Sequence, residues 1–180
     1  METLSEFIKK IVCALEVEKI DYAFTGAFAA SFYGIPRTTA DIDIIIAASE
    51  KDVKVKLAPA LRSTGLDVEE KTILDALTSG FCVATFKSKT LPYRVDIIFA
   101  DNLHKRKGTI ADVDTWLQAP EDLINAKLRM IKVTLDKDKT AKDKSDIKAI
   151  LQFTEVNKLL IKEQAKKDNT LQVWKSLTDL

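Results

Sequence analysis

The stretch Asp41-Ile42-Asp43-Ile44-Ile45-Ile46 decides the fold, because it combines the pattern of a buried strand with two acidic side chains. In an extended strand, successive side chains point to opposite faces. Asp41 and Asp43 therefore share one face, and the alternating isoleucines point into an apolar layer. Two neighbouring carboxylates repel each other unless a cation lies between them. Hard oxygen ligands of this kind suit Mg²⁺, which proteins commonly share with substrate phosphates.

A third acid and a glycine extend this pattern. Asp96 lies in Arg94-Val95-Asp96-Ile97-Ile98, within a strand predicted over residues 92–99. Gly26 follows a short predicted strand over residues 22–25 and opens a segment of small residues that reads as a helix. A glycine at a strand-to-helix turn lets backbone amides approach a phosphate, and the helix N-terminus adds favourable partial charge. These features predict a site for a metal ion and a nucleoside triphosphate.

The rest of the chain alternates helical and strand patterns. Its 180 residues suffice for one domain, or for a compact domain with a small helical appendage. Predicted helices cover residues 4–19, 27–33, 50–63, 143–153, 155–167 and 169–178, and one more begins at Pro120. Besides the strands already named, residues 66–71, 81–87 and 109–117 read as strands, and the charged residues 136–144 read as a partly mobile segment.

We therefore predict an α/β (α+β) fold with a mixed, partly antiparallel sheet flanked by helices. Residues 1–119 form the core in this prediction, and residues 120–180 form a small helical portion packed on it. A glycine, Gly34, and the following turn are expected to end the helix over residues 27–33.

Composition excludes several classes of function. Hydrophobic residues make up 46% of the chain and charged residues 31%, but no apolar stretch approaches the roughly 20 residues that cross a bilayer. The N-terminus lacks the pattern of a signal peptide, so we expect a cytoplasmic protein with no membrane partner. The only histidine is His104, which rules out a histidine-based triad or zinc site.

Several motifs together resemble a known superfamily. Thr25-Gly26-Ala27, thirteen intervening residues, Asp41-Ile42-Asp43 and the later Val95-Asp96-Ile97 resemble the signature of the polymerase β-type nucleotidyltransferases. Residues 33–43 resemble the Tyr-Gly-x-x-Arg-x-Thr-x-Asp-x-Asp motif of its abortive-infection, AbiEii-like branch. Residues 120–128 resemble that branch's Pro-Glu-Asp-Leu-x-x-x-Lys-Leu motif, and residues 142–147 its Lys-Asp-x-x-Asp-hydrophobic motif.

The resemblance implies a nucleotidyltransferase fold and transfer of a nucleoside monophosphate from an NTP to an acceptor hydroxyl. It implies two Mg²⁺ ions, with Mn²⁺ as a substitute, and two metals of this kind suit in-line phosphoryl displacement. The implied metal-binding and catalytic residues are Asp41, Asp43 and Asp96. The implied nucleotide-binding residues are Gly26, Ala27, Arg37, Thr39, Lys127 and Asp143.

In that family pattern Asp96 helps to deprotonate the attacking hydroxyl. Lys127 neutralises charge on the triphosphate, and Asp143 orients the lysine or the acceptor. The acceptor is RNA, a protein or a small molecule. Since the branch includes toxins of toxin–antitoxin systems, the resemblance also implies a cognate antitoxin as a partner.

Other interpretations of the same residues stay open. Ala27 stands where the superfamily has Gly or Ser, so the fold could retain nucleotide binding with little turnover, or serve only to bind a partner. Asp41 and Asp43 could cap a surface strand, with Asp96 paired to Arg94 two residues away.

Two cationic residues have equally plain alternatives. Arg37 either grips a phosphate or braces the loop before the aspartates. Lys127, without its motif, would be an ordinary solvated lysine of a helix.

Overall fold

A six-stranded mixed sheet organises the chain in a computed structural model that describes residues 2–78 and 82–178. The strands are β1 (Asp21–Phe24), β2 (Asp41–Ala47), β3 (Val83–Lys87), β4 (Arg94–Phe99), β5 (Lys105–Ile110) and β6 (Val113–Gln118). Their order across the sheet is β3-β4-β2-β1-β6-β5. The pairs β2/β4 and β1/β6 are parallel, and the other three pairs are antiparallel. The predicted mixed, partly antiparallel sheet is confirmed.

Helices precede, interrupt and follow the sheet. In the first part of the chain they are α1 (Leu4–Val17), α2 (Gly26–Tyr33), α3 (Glu50–Asp52), α4 (Ala58–Ser63) and α5 (Glu70–Thr78). A π-helical turn, Val53–Leu57, joins α3 to α4, so residues 50–63 are helical as predicted. The later helices are α6 (Pro120–Val133), α7 (Lys137–Phe153), α8 (Lys158–Lys167) and α9 (Leu171–Thr178). None of the helices in the described residues is long and apolar enough to cross a membrane.

The chain divides into two units, which we describe separately. The sheet unit comprises Met1–Phe28 and Thr38–Gln118, and the helical unit comprises Ala29–Arg37 and Ala119–Leu180. In this division the sheet unit ends at Gln118, and Ala119 begins the C-terminal part of the helical unit. However, the helical unit also takes in residues 29–37, which precede the strand of the paired aspartates.

Strand register gives the sheet unit one apolar face and one polar face. In the parallel pairing of β2 and β4, Ile42 lies opposite Val95 and Ile44 opposite Ile97, and all four side chains are fully buried. The alternate residues point to the other face, where Asp41, Asp43, Arg94 and Asp96 are partly or fully exposed and Ile45 is buried. Helix α1 adds five buried apolar side chains to the core and begins with a capping box between Thr3 and Glu6.

Two strand predictions were wrong. Residues 66–71 form only an isolated bridge between Leu66 and Ser88, and helix α5 then begins at Glu70. The predicted strand over residues 109–117 is instead the hairpin of β5 and β6, with Ala111 and Asp112 at its turn. Both turn residues have positive φ, 47° and 64°, as a two-residue hairpin turn requires.

Smaller differences concern helix ends. The helix predicted over residues 143–153 begins earlier, because Asp136 caps α7 and the helix runs from Lys137 to Phe153. Gly34 does follow the last residue of α2, but its φ is not positive. Its Cα instead lies where an added Cβ would come within 2.9 Å of the Cβ of Ala149. The predicted strand over residues 81–87 is described from Cys82 onward, and Phe81 lies outside the described residues.

Candidate active site

The polar face of β3, β4 and β2 collects the three acids that the sequence singled out. Asp43 and Asp96 are register partners in the parallel pair β2/β4, so their side chains project from adjacent strands on the same face. Asp41 lies two residues before Asp43 and shares that face. Two rows of polar residues result, one formed by Asp41, Arg94 and Lys87 and the other by Asp43, Asp96 and Thr85.

Each row contains contacts that position the carboxylates. Thr85 donates a hydrogen bond from Oγ1 to Asp96 Oδ1 over 2.7 Å. Nη2 of Arg94 lies 3.0 Å from Asp41 Oδ1, and its Nε lies 3.8 Å from Asp96 Oδ1. The side chains of Arg94 and Asp41 are about half exposed, whereas that of Asp96 is 18% exposed. The most sheltered carboxylate of these is therefore the one fixed by a short hydrogen bond.

Gly26 brings the start of α2 directly against the second aspartate. Its φ is +58°, and a Cβ at this position would lie 2.0 Å from Asp43 Oδ2. The amide of Thr25 also donates to the carbonyl of Asp43 over 2.9 Å, which holds the turn on β2. The first N–H groups of a helix have no partners within the helix. The amides of Gly26 and Ala27 thus begin a helix beside the carboxylate of Asp43, and the positive φ and the close approach favour glycine here. We call the sheet face that carries Asp41, Asp43 and Asp96 the acidic face.

Thr39 shapes the entry to the same strand. Its hydroxyl donates to the carbonyl of Asp41 and accepts from the amide of Asp41, both over 3.2 Å. The hydroxyl is therefore engaged with the backbone that carries the first aspartate.

The acidic face suits a divalent cation in its donor chemistry, because three carboxylates and a tight glycine turn lie together. In the described residues, however, no group of three or more Asp, Glu, His or Cys side chains is arranged so that it could hold a metal ion. The guanidinium of Arg94 supplies the positive charge that faces Asp41 and Asp96 in this conformation. The alternative interpretation of the sequence, in which Asp96 pairs with Arg94, thus agrees with the observed contact between these two side chains, although that contact is long.

The remaining predicted residues form an ion-pair network in the helical unit. Lys127 of α6 is 6% exposed, and its ammonium lies 2.8 Å from Asp143 Oδ1 and 2.8 Å from Asp146 Oδ2 of α7. Arg37 donates from Nε and Nη2 to the two carboxylate oxygens of Asp146 over 3.3 and 3.2 Å. Two cations and two anions balance in this network. Because Lys127 is buried within it, the alternative that Lys127 is an ordinary solvated lysine of a helix is wrong.

Sequence reasoning did not assign roles to three residues that complete these arrangements. Thr85 and Lys87 are exposed polar residues of β3, and only the register of β3 with β4 places them beside Asp96 and Arg94. Asp146 had a detectable signal, since it follows Asp143 by three residues and so lies on the same side of the helix.

Comparison with known proteins supports the fold by structure only. No protein-family model matches the chain, and none of the curated proteins matches its sequence. A crystal structure of an antigenic nucleotidyltransferase-like protein from Paracoccidioides brasiliensis is similar, with a TM-score of 0.62 and 16% identity, over 94% of this chain and 87% of that one.

Two structures of the antibiotic-resistance factor ANT(2'')-Ia are also similar. The solution structure gives a TM-score of 0.57 at 16% identity, over 96% of this chain and 91% of that one. The crystal structure in complex with adenylyl-2''-tobramycin gives 0.60 at 15% identity, over 96% and 97%. These identities are too low to carry residue roles across, but the similarity extends over nearly the whole chain in each case. The chain therefore has a nucleotidyltransferase fold.

Proposed function

We propose that the chain is a nucleotidyltransferase that moves a nucleoside monophosphate from an NTP to an acceptor hydroxyl and depends on Mg²⁺. The observation that carries this proposal is the shared polar face of Asp41, Asp43 and Asp96, with Gly26 against Asp43. A surface strand that merely faced solvent would have no need of a close helix start beside its second carboxylate.

The reaction consists of attack by the acceptor oxygen on the α-phosphorus, with cleavage of the bond to the β-phosphate and departure of pyrophosphate. Mg²⁺ bound to the acidic face would supply positive charge for the phosphate oxygens. Asp41, Asp43 and Asp96 are the residues that would hold it. The amides at the start of α2 would receive phosphate oxygens, as helix N-termini commonly do.

Asp96 is the proposed acceptor of the proton that the attacking hydroxyl loses. One of its oxygens accepts the hydrogen bond from Thr85, and within the described part of the chain the other oxygen accepts none. The second oxygen can therefore receive the proton of the attacking hydroxyl while Thr85 holds the carboxylate in place. Asp96 is also the least exposed of the carboxylates that Arg94 contacts, which reduces competition from water.

For the helical unit taken by itself, we propose that the network of Arg37, Lys127 and Asp143 binds nucleotide phosphate. Asp143 would orient Lys127, as the 2.8 Å contact between them allows. Because both acids of the network already neutralise the two cations, phosphate binding would require one of these ion pairs to loosen.

The proposal also extends to the class of acceptor and to the branch of the nucleotidyltransferase superfamily. The motifs at residues 33–43, 120–128 and 142–147 support the AbiEii-like branch, with RNA, a protein or a small molecule as the acceptor and a cognate antitoxin as a partner. The ANT(2'')-Ia crystal structure contains adenylyl-2''-tobramycin, which is a nucleotidylated small molecule. We therefore include small-molecule hydroxyls among the acceptors to be tested.

The test is transfer of label from each of the four α-³²P NTPs in the presence of Mg²⁺. Acceptors are total RNA, a protein extract and a panel of hydroxyl-bearing small molecules. Asp43→Asn is expected to reduce transfer by about a hundredfold or more, since charge stabilisation at the reacting phosphate is lost. Asp101→Asn is the matched control, because Asp101 is an exposed acid just after β4 that belongs to neither row. Transfer that survives in Asp43→Asn would refute the assigned site.

A second candidate function is nucleotide binding with little turnover. It is favoured by Ala27, whose buried methyl group offers no hydroxyl where a serine could contact phosphate. Calorimetric titration of each NTP with and without Mg²⁺ separates the candidates. Binding that requires Mg²⁺ and is lost in Asp43→Asn, without any label transfer, would establish the binding module. The absence of metal-dependent binding for every NTP would eliminate both.

A further inference from the structure

Arg94 occupies the central position of the acidic face. It lies opposite Asp41 in the pairing of β2 with β4, and it precedes Asp96 by two residues on the same strand face. Its guanidinium contacts both carboxylates, at 3.0 Å from Asp41 and 3.8 Å from Asp96. One side chain thus provides the counter-charge for two of the three acids that would hold a metal ion.

These contacts are of a kind that a bound divalent cation can replace. The side chains of Arg94 and Asp41 are 49% and 47% exposed, and exposed ion pairs are weak because water screens them. The contact with Asp96 is long, whereas Asp96 already has a short hydrogen bond from Thr85. Asp96 would therefore keep its position if the guanidinium left.

A cavity beside Arg94 gives its side chain an alternative position. The cavity has a volume of about 300 Å³ and is lined by residues that include Asp41, Lys87, Ser88, Tyr93 and Arg94. Lys87 is the register partner of Arg94 on β3, and its positive charge faces the same space. Without a cation on the acids, Asp41 and Asp96 attract the guanidinium and hold it out of the cavity.

We propose that Arg94 is an exchangeable counter-ion that neutralises Asp41 and Asp96 until a divalent cation binds them, and that metal binding displaces its guanidinium. This inference rests on the proposed function. Arg94 is a positioning residue in this account, since it acts through the carboxylates and not on the reacting atoms. Its consequence is that the chain binds a divalent ion more weakly than the three carboxylates would by themselves.

The test is titration with Mn²⁺, followed by the electron paramagnetic resonance signal of the free ion. Arg94→Gln is expected to bind Mn²⁺ about two- to tenfold more tightly than the wild type, which is the range that one or two exposed ion pairs represent. Lys87→Gln is the matched control, because it removes one positive charge from the neighbouring position without removing a contact to an acid. Its affinity is expected to change by less than about twofold.

A second measurement follows the guanidinium itself. In ¹⁵N-edited spectra, the Nε–Hε resonance of Arg94, assigned by its loss in Arg94→Gln, is expected to shift when diamagnetic Mg²⁺ is added. The shift should saturate at the same concentration as metal binding.

The outcomes separate this inference from the proposed function. If Arg94→Gln binds Mn²⁺ no more tightly than the wild type or Lys87→Gln, or if the Arg94 resonance stays in place as Mg²⁺ saturates, the counter-ion role is wrong and the proposed function is unaffected. If neither the wild type nor Arg94→Gln binds Mn²⁺, both proposals fail.

Discussion

Replacing Lys127 with methionine tests the ion-pair network of the helical unit most directly. Lys127 is 6% exposed, and its ammonium is within 2.8 Å of both Asp143 and Asp146. Methionine keeps a similar length and volume but removes the charge. The substitution therefore leaves the packing of α6 largely unchanged and removes the shared counter-ion of two buried carboxylates.

The expected cost follows from what remains after the substitution. Asp146 keeps its two hydrogen bonds from Arg37, so it stays paired. Asp143 is 8% exposed, and Oδ2 already has no hydrogen-bond partner among the described residues, so the substitution leaves it as an uncompensated buried charge. Removing one partner of a buried ion pair typically costs 3–5 kcal/mol. We expect Lys127→Met to lower the free energy of unfolding by about 3 kcal/mol.

Urea unfolding followed by circular dichroism measures this cost, provided that the m-value is unchanged. Lys132→Met, on the same helix but exposed, is the matched control and is expected to change stability by less than about 0.5 kcal/mol. Adding Asp143→Asn to Lys127→Met removes the stranded charge and should recover more than half of the loss. A cost below about 1 kcal/mol for Lys127→Met, or no recovery in the double variant, would refute the reasoning.

Three further substitutions test other parts of the structure. Gly26→Ala places a Cβ 2.0 Å from a carboxylate oxygen of Asp43, and this oxygen can rotate away. The remaining cost is backbone strain, so thermal unfolding should show a loss of about 1–2 kcal/mol in the free energy of unfolding. Titration with Mn²⁺ should show weakened binding. Gly34→Ala meets the less yielding Ala149 at 2.9 Å and should cost about 1–3 kcal/mol in urea unfolding, with partial recovery in Gly34→Ala combined with Ala149→Gly. Burial raises the pKa of Tyr22 to about 12 from 10.0, so its contribution to stability is complete below pH 10 and is lost as the pH rises to 12. Between these pH values the wild type should lose about 1–2 kcal/mol more than Tyr22→Phe, after allowance for solvent screening, and an equal loss in both would show that Tyr22 does not titrate in this way.

The sequence was sufficient for the parts of the fold in which local pattern and burial agree. The alternation around Asp41 and Asp43 predicted β2 correctly because one face of that strand is buried and the other is polar. The same rule predicted β4 and placed Asp96 on a polar face. What the pattern could not supply was the register of β2 with β4, which depends on residues distant in the chain and sets Asp43 beside Asp96.

The incorrect predictions share a physical cause, which is that the deciding residues carry a weak local signal. Ala111 and Asp112 take positive φ at the β5–β6 turn, although glycine or asparagine is the usual sign of such a turn. The two strands therefore read as one. The predicted helix over residues 143–153 begins too late, because the run of alternating charges before it hides the N-cap at Asp136. Only the family motifs implied that Lys127 and Asp143 act together, since the local pattern carries no signal for a contact between two helices.

The position of Gly26 argues that the acidic face is a site and not only a solvated edge of the sheet. Charged residues on an exposed strand face are common and by themselves indicate nothing. A glycine at a helix start is different, because the residue loses more conformational freedom on folding than any other. The structure retains it where a Cβ would collide with Asp43, so its presence permits a close approach of backbone amides to that carboxylate. In the proposed site, the amides would receive phosphate oxygens and the carboxylate of Asp43 would hold the cation bound to them. The linked loss of Mn²⁺ binding in Gly26→Ala and Asp43→Asn is the result on which that proposal depends.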